Sequence, residues 1–301
     1  MLNESIMKWV LASYSGSEKI IAIEQLHGGM SSHIYSISLQ VGDKIKDVVL
    51  RQVDDEEWLE EEPDLARHEA ESLRWATSAG LMAPSIIAFD ETGSNCGHPT
   101  VLMEKLEGSV ILRPDNVDRW VNGLAESLVQ IHKVDADDFH WSYFTYKDLH
   151  IVETQEWSKH PDLWNTAFKI ANKPRPKVKD CFIHRDFHPA NVLWSRNAVS
   201  GVVDWVNACR GPAGIDVGHC RTDLALLHGI SVADAFLDAY IMHAGDSFQY
   251  NPYWDILSVI DILFGTPEVY PGWTALGVTE LTDQMMEERL DAYLVSLLKR
   301  I

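Results

Sequence analysis

From Cys181 to Trp194 the chain reads CFIHRDFHPANVLW. Two apolar runs, Cys181–Ile183 and Val192–Trp194, bracket a polar segment with two histidines, an arginine, an aspartate and an asparagine. An ordinary turn is made with Gly, Asn or Ser. A loop so rich in ionisable groups between two pieces of buried strand points to a base, a ligand or both. Further on, the sequences NVLW and VVDW, joined through Ser195–Gly201, read as a hairpin that ends near Asp204. A hairpin brings its open ends together, so Asn191 is expected beside Asp204. An amide oxygen and a carboxylate, with room for waters and phosphate oxygens, form a donor set of the kind Mg²⁺ takes. Asp186 would then stand close by, placed to orient or deprotonate a hydroxyl. That grouping suits phosphoryl transfer, in which a protein mainly positions groups and neutralises charge.

The bulk properties narrow the alternatives. A chain of 301 residues is long enough for two lobes or domains. No apolar run approaches the ~18 residues of a membrane span, and the N-terminal stretch, with Glu4 early and no basic leader, reads as a poor signal peptide. Cys96, Cys181, Cys209 and Cys220 lack the CxxC spacing of a zinc site and suit no disulfide framework, so a reducing cytoplasm is expected. A formal net charge of −20 argues against nucleic acid or an anionic membrane as partner. The excess is uneven: residues 1–110 carry 8 basic and 19 acidic residues, and residues 201–301 carry 5 and 14. The run Asp54–Asp64 in the first part reads as a solvated, mobile loop. Asp255, Asp261, Glu268 and Glu280 in the second part favour a cationic small molecule as partner.

The period of the apolar residues changes along the chain. Residues 1–17 have helical spacing; IIAIEQL, HIYSISLQV and DVVLRQV then alternate as strands, punctuated at Gly28-Gly29 and Gly42-Asp43. DLARHEAESLRWATSAG reads as a helix closed by Gly80, followed by strands around SIIAFDE and TVLMEKL. After Gly108 the spacing is helical over 116–132, part of 150–172, 230–243, 253–263 and 282–301. The expected fold is α+β and two-lobed: an N-terminal antiparallel sheet with a helix over 1–105, and a larger, mainly helical part over 106–301.

HRDFHPAN followed by VVDW resembles the catalytic and metal-binding segments of the aminoglycoside phosphotransferase family, which is related in fold to protein kinases and includes choline and macrolide kinases. In the same order, LHGGMSSHIYSIS is similar to its phosphate-covering hairpin, VVLR to its third strand, ARHEAESLRW to the next helix, TVLMEKLEG to its hinge, and ACRGPAGIDVGHCRTDLALLHG to the segment after the hairpin. The resemblance spans most of residues 20–230. It implies a kinase-like fold with the site in the cleft between lobes, Asp186 as catalytic base, Asn191 and Asp204 as Mg²⁺ ligands, and Asp216 bracing the loop. It also implies backbone N–H groups of Gly28, Gly29, Ser31 and Ser32 over the phosphates of ATP or GTP. Arg51 would pair with Glu69 and the phosphates, and backbone groups of Glu104 and Leu106 would bond to the purine. Met103 is expected either to pack behind the purine or to serve as an ordinary core methionine. Arg51 stands where such kinases usually carry Lys, and the two cations are not interchangeable.

Other readings compete. His184 and His188 flank Asp186 at i, i+4, which a metal-dependent hydrolase could use, although Pro189 and the strand pattern supply no helix for them. His184 more simply packs within the loop, while His188 is a candidate contact to substrate or phosphate. A degenerate kinase fold that binds nucleotide without turnover is a further alternative. With only eleven residues between Asp204 and Asp216, a platform for a protein substrate is not expected, so the acceptor should be a small molecule.

Overall fold

The computed structural model describes residues 2–26, 32–151 and 155–301. The chain divides into two units: residues up to Gly108 together with Ser200–Asn207, and Ser109–Val199 together with Ala208–Ile301.

In the first unit, helix α1 (Glu4–Ser13) precedes strands β1 (Ser17–Leu26), β2 (Ser32–Val41) and β3 (Lys44–Val53), helices α2 (Glu56–Glu61) and α3 (Leu65–Ser78), and strands β4 (Ile86–Asp90) and β5 (Thr100–Glu104). The strands form one sheet in the order β1-β2-β3-β5-β4, every pair antiparallel. Alternate residues point to one face. Ile37 and Leu39 of β2 and Val48 and Leu50 of β3 are wholly buried there, against Leu2, Ile6 and Val10 at α1. The Asn3 side chain accepts the Ile6 N–H at 2.9 Å and starts α1. Residues 54–64 differ from the sequence expectation, because α2 forms within the run. Asp55 caps it through the Trp58 N–H at 3.0 Å, and Glu56 and Glu57 lie at the positive end of the helix dipole. Trp58 and Leu59 pack on Val53, Leu65 and Val206, giving the run an apolar anchor.

The segment 200–207 is held to the rest of the first unit by hydrogen bonds. Val202 donates to the Met82 carbonyl at 2.8 Å, and the Ser200 hydroxyl donates to the Glu107 carbonyl at 2.7 Å. Gly201 lies against the tip of the Leu106 side chain, which a Cβ there would have to displace. Asp204 follows with φ of 67°, in the left-handed region that non-glycine residues seldom occupy.

The second unit contains α4 (Val117–His132), α5 (Pro161–Ala171), α6 (Gly214–His228), α7 (Ile230–Ala244), α8 (Pro252–Asp261), α9 (Pro271–Ala275) and α10 (Asp283–Leu298). Short strands β6 (Ser109–Val110), β7 (Cys181–Ile183), β8 (Val192–Ser195), β9 (Ala198–Val202) and β10 (Cys209–Gly211) complete the chain. They make a three-stranded sheet, β6-β8-β9, and a pair, β10-β7. Strand β9 ends at Val202, two residues before Asp204, rather than including it. Helix α6 packs against α7, α8 and α10. Gly214 and Gly218 lie so close to Trp254 and Ser258 of α8 that neither has space for a Cβ. The loop between β7 and β8 thus hangs between a strand and a helix that are both fixed by burial.

Candidate active site

Arg51 sits on β3 with its side chain buried in the first unit. Its Nε donates to the Ser32 hydroxyl at 2.9 Å; its Nη1 is 3.1 Å from Glu69 Oε1 and 2.5 Å from Asp204 Oδ1. Burial works against the charged guanidinium, but the two carboxylates outweigh it and hold its pKa above the ordinary value. Burial raises the pKa of Glu69, and Arg51 offsets only part of that. The planar guanidinium, with several donors in fixed directions, can serve three acceptors at once. Met103 is buried in β5, opposite Val49 and Ile86. The Glu104 N–H is taken by the Ser85 carbonyl at 2.9 Å, and Leu106 is half-buried just beyond the strand. Gly28, Gly29 and Ser31 lie outside the described residues.

In the second unit, Asp216 at the start of α6 is fully buried and organises the loop after β7. Its Oδ2 accepts the His184 N–H at 2.7 Å, its Oδ1 accepts the Arg185 N–H at 2.6 Å, and His132 Nε2 lies 3.0 Å from Oδ2. His132 is held in turn by the Tyr240 hydroxyl at 2.6 Å. Burial alone would raise the pKa of Asp216; the His132 ring and the backbone donor of His184 outweigh it and bring the pKa below the ordinary value. These bonds fix the backbone at Arg185, whose φ is 67°. The Arg185 guanidinium lies 4.1 Å from the ring centroids of both Phe144 and Tyr146 and donates to the Phe144 carbonyl at 2.8 Å. The His184 ring is buried edge-on to Phe187.

Asp186 follows, with its side chain 30% exposed. A single 3-10 turn, Pro189–Asn191, folds Asn191 back so that Nδ2 donates to the Asp186 carbonyl at 3.0 Å and to its Oδ2 at 3.1 Å. With the amide nitrogen so occupied, the amide oxygen of Asn191 is the atom available to a cation, which is the donor Mg²⁺ prefers. The other side of Asp186 meets His188 Nε2 at 3.9 Å and His219 Nε2 at 3.6 Å from Oδ1. The His188 and His219 rings stack at 5.8 Å with planes 11° apart, and Tyr270 stands edge-on to His188.

Three of these neighbours escaped the sequence reading: His219 and Asp223, an i, i+4 ion pair at 3.2 Å on α6, and Tyr270. The spacing in GHCRTD was the available signal. Burial lowers the pKa of His219, but Asp223, Asp186 and Asp216 outweigh it and push it up to about 9. Three of the four acids expected to attract a cation have other partners. Asp255 is buried against Arg221; Asp261 accepts the Tyr146 and Lys147 N–H groups at 2.8 and 3.2 Å and the Tyr143 hydroxyl at 3.2 Å; Glu280 pairs with Arg113. Among the described residues there is no group of three or more His, Cys, Asp and Glu side chains placed to hold a metal, at His184 and His188 or elsewhere.

The sheet order, the helical second unit and the loop geometry define a kinase-like fold. Among solved structures of this fold is a Ralstonia eutropha JMP134 protein named as a candidate aminoglycoside phosphotransferase (14% identity, TM-score 0.67, 98% of each chain covered). A thermostable mutant of aminoglycoside phosphotransferase APH(4)-Ia, in ternary complex with AMP-PNP and hygromycin B, is similar over 97% of this chain and 98% of its own (16%, TM-score 0.63). Amicoumacin kinase hAmiN, in complex with AMP-PNP, Ca²⁺ and Ami, is similar over 96% of each chain (11%, TM-score 0.61). At such identities the likeness is one of fold. Among curated proteins none matches this chain in sequence. The model of the phosphotransferase enzyme family (APH) matches residues 22–253, and the chain belongs to that family. It is a small-molecule kinase with a hydroxyl acceptor.

Proposed function

We propose that this enzyme transfers the γ-phosphoryl group of ATP, or of GTP, to a hydroxyl of a small molecule, with Asp186 as the base that receives the hydroxyl. The observation that carries this reading is the double hold of Asn191 on the Asp186 carbonyl and carboxylate in a loop braced by Asp216. On this reading it would hold the carboxylate for the alcohol and leave the amide oxygen for a cation. Asn191 and Asp204 would hold Mg²⁺, which when bound neutralises charge on the phosphates. Arg51, kept cationic between Glu69 and Asp204, would meet phosphate oxygens. Backbone N–H groups of Gly28, Gly29, Ser31 and Ser32 would lie over the phosphates. The purine would rest on Met103, bonding to the Glu104 carbonyl, since that residue's N–H is already taken by Ser85, and to the Leu106 backbone. His188 would contact the acceptor or the phosphate in transfer.

The acceptor we favour is a cationic or amino-bearing alcohol of the aminoglycoside, macrolide or amino-alcohol kind. Two of the similar solved structures were captured with hygromycin B and with Ami, and the net charge of −20 suits a cation. Four free cysteines agree with a reducing cytoplasm, and no helix of the described residues is long and apolar enough to cross a membrane. The test is incubation with Mg²⁺, ATP or GTP and a panel of hydroxylated amines, following release of nucleoside diphosphate and the ³¹P spectrum of the product. Acceptor-dependent release with a new phosphate ester is expected. Tight nucleotide binding with no release across the panel would favour the non-catalytic module instead.

A further inference from the structure

The described contacts of Asp186 divide its carboxylate in two. Oδ2 takes the Asn191 amide at 3.1 Å, and Oδ1 faces His219 Nε2 at 3.6 Å, with His188 Nε2 at 3.9 Å. His219 comes from α6, a buried helix, and its side chain is only 15% exposed. One face of its ring is stacked on His188, which Tyr270 meets edge-on. One turn along the helix, Asp223 Oδ2 lies 3.2 Å from the same Nε2. A single nitrogen therefore stands between two carboxylates from different parts of the fold, on a ring whose orientation packing restricts.

We propose that His219 is a positioning residue for Asp186, acting as a fixed cation on its Oδ1, and that Asp223 is the counter-charge that keeps that cation in place. The proposal rests on the reading of Asp186 as the base. The groups facing His219 are Asp186 and His188 from the loop and Asp223 and Asp216 from α6, with Tyr270 behind His188. Three of these five are acids, so an imidazolium is the form the surroundings favour, and the His219 pKa near 9 agrees. A cation at Oδ1 and an amide at Oδ2 hold the carboxylate from both ends. Rotation that would carry it away from an incoming hydroxyl then costs one of the two contacts. Positioning of this kind is worth a large part of a transfer rate, because small misplacements of a reacting group are expensive.

The test compares wild type with His219→Gln, Asp223→Asn and the double variant, using MgATP with water as acceptor and NMR of the same samples. In ¹⁵N spectra at pH 7.5 the His219 ring, assigned by its loss in His219→Gln, should be imidazolium in wild type and neutral in Asp223→Asn. His219→Gln should lower kcat about ten- to a hundredfold, as loss of a charge-assisted contact does, with KM for ATP within about twofold. Asp223→Asn should lower kcat in the same way, and the double variant should be no worse than His219→Gln alone. Independently of turnover, the Asn191 side-chain amide protons should exchange faster with water in His219→Gln, because their acceptor has been loosened. A neutral His219 in wild type, an unchanged Asn191 amide in His219→Gln, or single effects that multiply in the double variant would each overturn the proposal. Asp186→Asn separates the two claims. If it turns over MgATP like wild type while the Asn191 amide still responds to His219→Gln, the base assignment fails and the positioning contact stands.

Discussion

Arg51 Nη1 and Asp204 Oδ1 lie 2.5 Å apart, and the same nitrogen is 3.1 Å from Glu69 Oε1. Removing the guanidinium would strand two carboxylates in its place. We predict that Arg51→Met destabilises the protein by about 3–5 kcal/mol, the range for breaking a buried ion pair from one side. Arg51→Lys should cost less, because the charge remains while the simultaneous reach to Ser32, Glu69 and Asp204 is lost. Urea denaturation with fluorescence from the eleven tryptophans measures both.

The Asn191 amide nitrogen holds Asp186, and in the proposed reading its oxygen would hold the metal. Asn191→Ala removes both. The Mg²⁺ concentration for half-maximal turnover should rise about ten- to a hundredfold, the cost of losing oriented partners around a metal. A Mg²⁺ titration at saturating ATP checks it.

The His219 ring gives a pH signature in stability. Its folded-state pKa of about 9 lies above the ordinary 6.5, so the folded protein holds this proton more tightly than the unfolded chain does. That contribution is complete below pH 6.5 and is lost as pH rises towards 9. The stability difference between wild type and His219→Gln should therefore be flat below pH 6 and shrink between about 6.5 and 9. Urea midpoints at a series of pH values, with the slope held common, read it.

Gly218 on α6 faces Ser258 of α8 with no room for a Cβ. Gly218→Ala should cost about 1–3 kcal/mol through overpacking, despite the better helix propensity of alanine. A lowered thermal midpoint with unaltered circular dichroism at 20 °C is the expected result.

What the sequence disclosed followed the physics of each segment. Ile37 and Leu39 of β2 and Val48 and Leu50 of β3 alternate with more exposed residues along much of the two strands, so the strand period was legible there, while Arg51 and Gln52 of β3 are buried as well. Asp186, Asn191 and Asp204 stood out because polar groups are rare beside buried strand. Helix α6 showed no stripe: it is buried on most of its surface, with Asp216, Arg221 and Thr222 inside it, so helical periodicity disappears. His219 and Asp223 were hidden with it. The run 54–64 misled for the opposite reason, since its charges masked the anchor formed by Trp58 and Leu59. The acids of the C-terminal part were visible as charge, but Arg221, Arg113 and backbone N–H groups occupy three of the four named, and no spacing rule shows that.

The direct measurement is single-turnover phosphoryl transfer by Asp186→Asn beside wild type, using whichever acceptor of the panel supports turnover, together with nucleotide affinity. A carboxamide can keep the Asn191 contact but cannot take a proton. We predict a rate about a hundred- to ten-thousandfold lower with affinity for MgATP essentially unaltered. Transfer at the wild-type rate would contradict the assignment of Asp186 as the group that receives the alcohol.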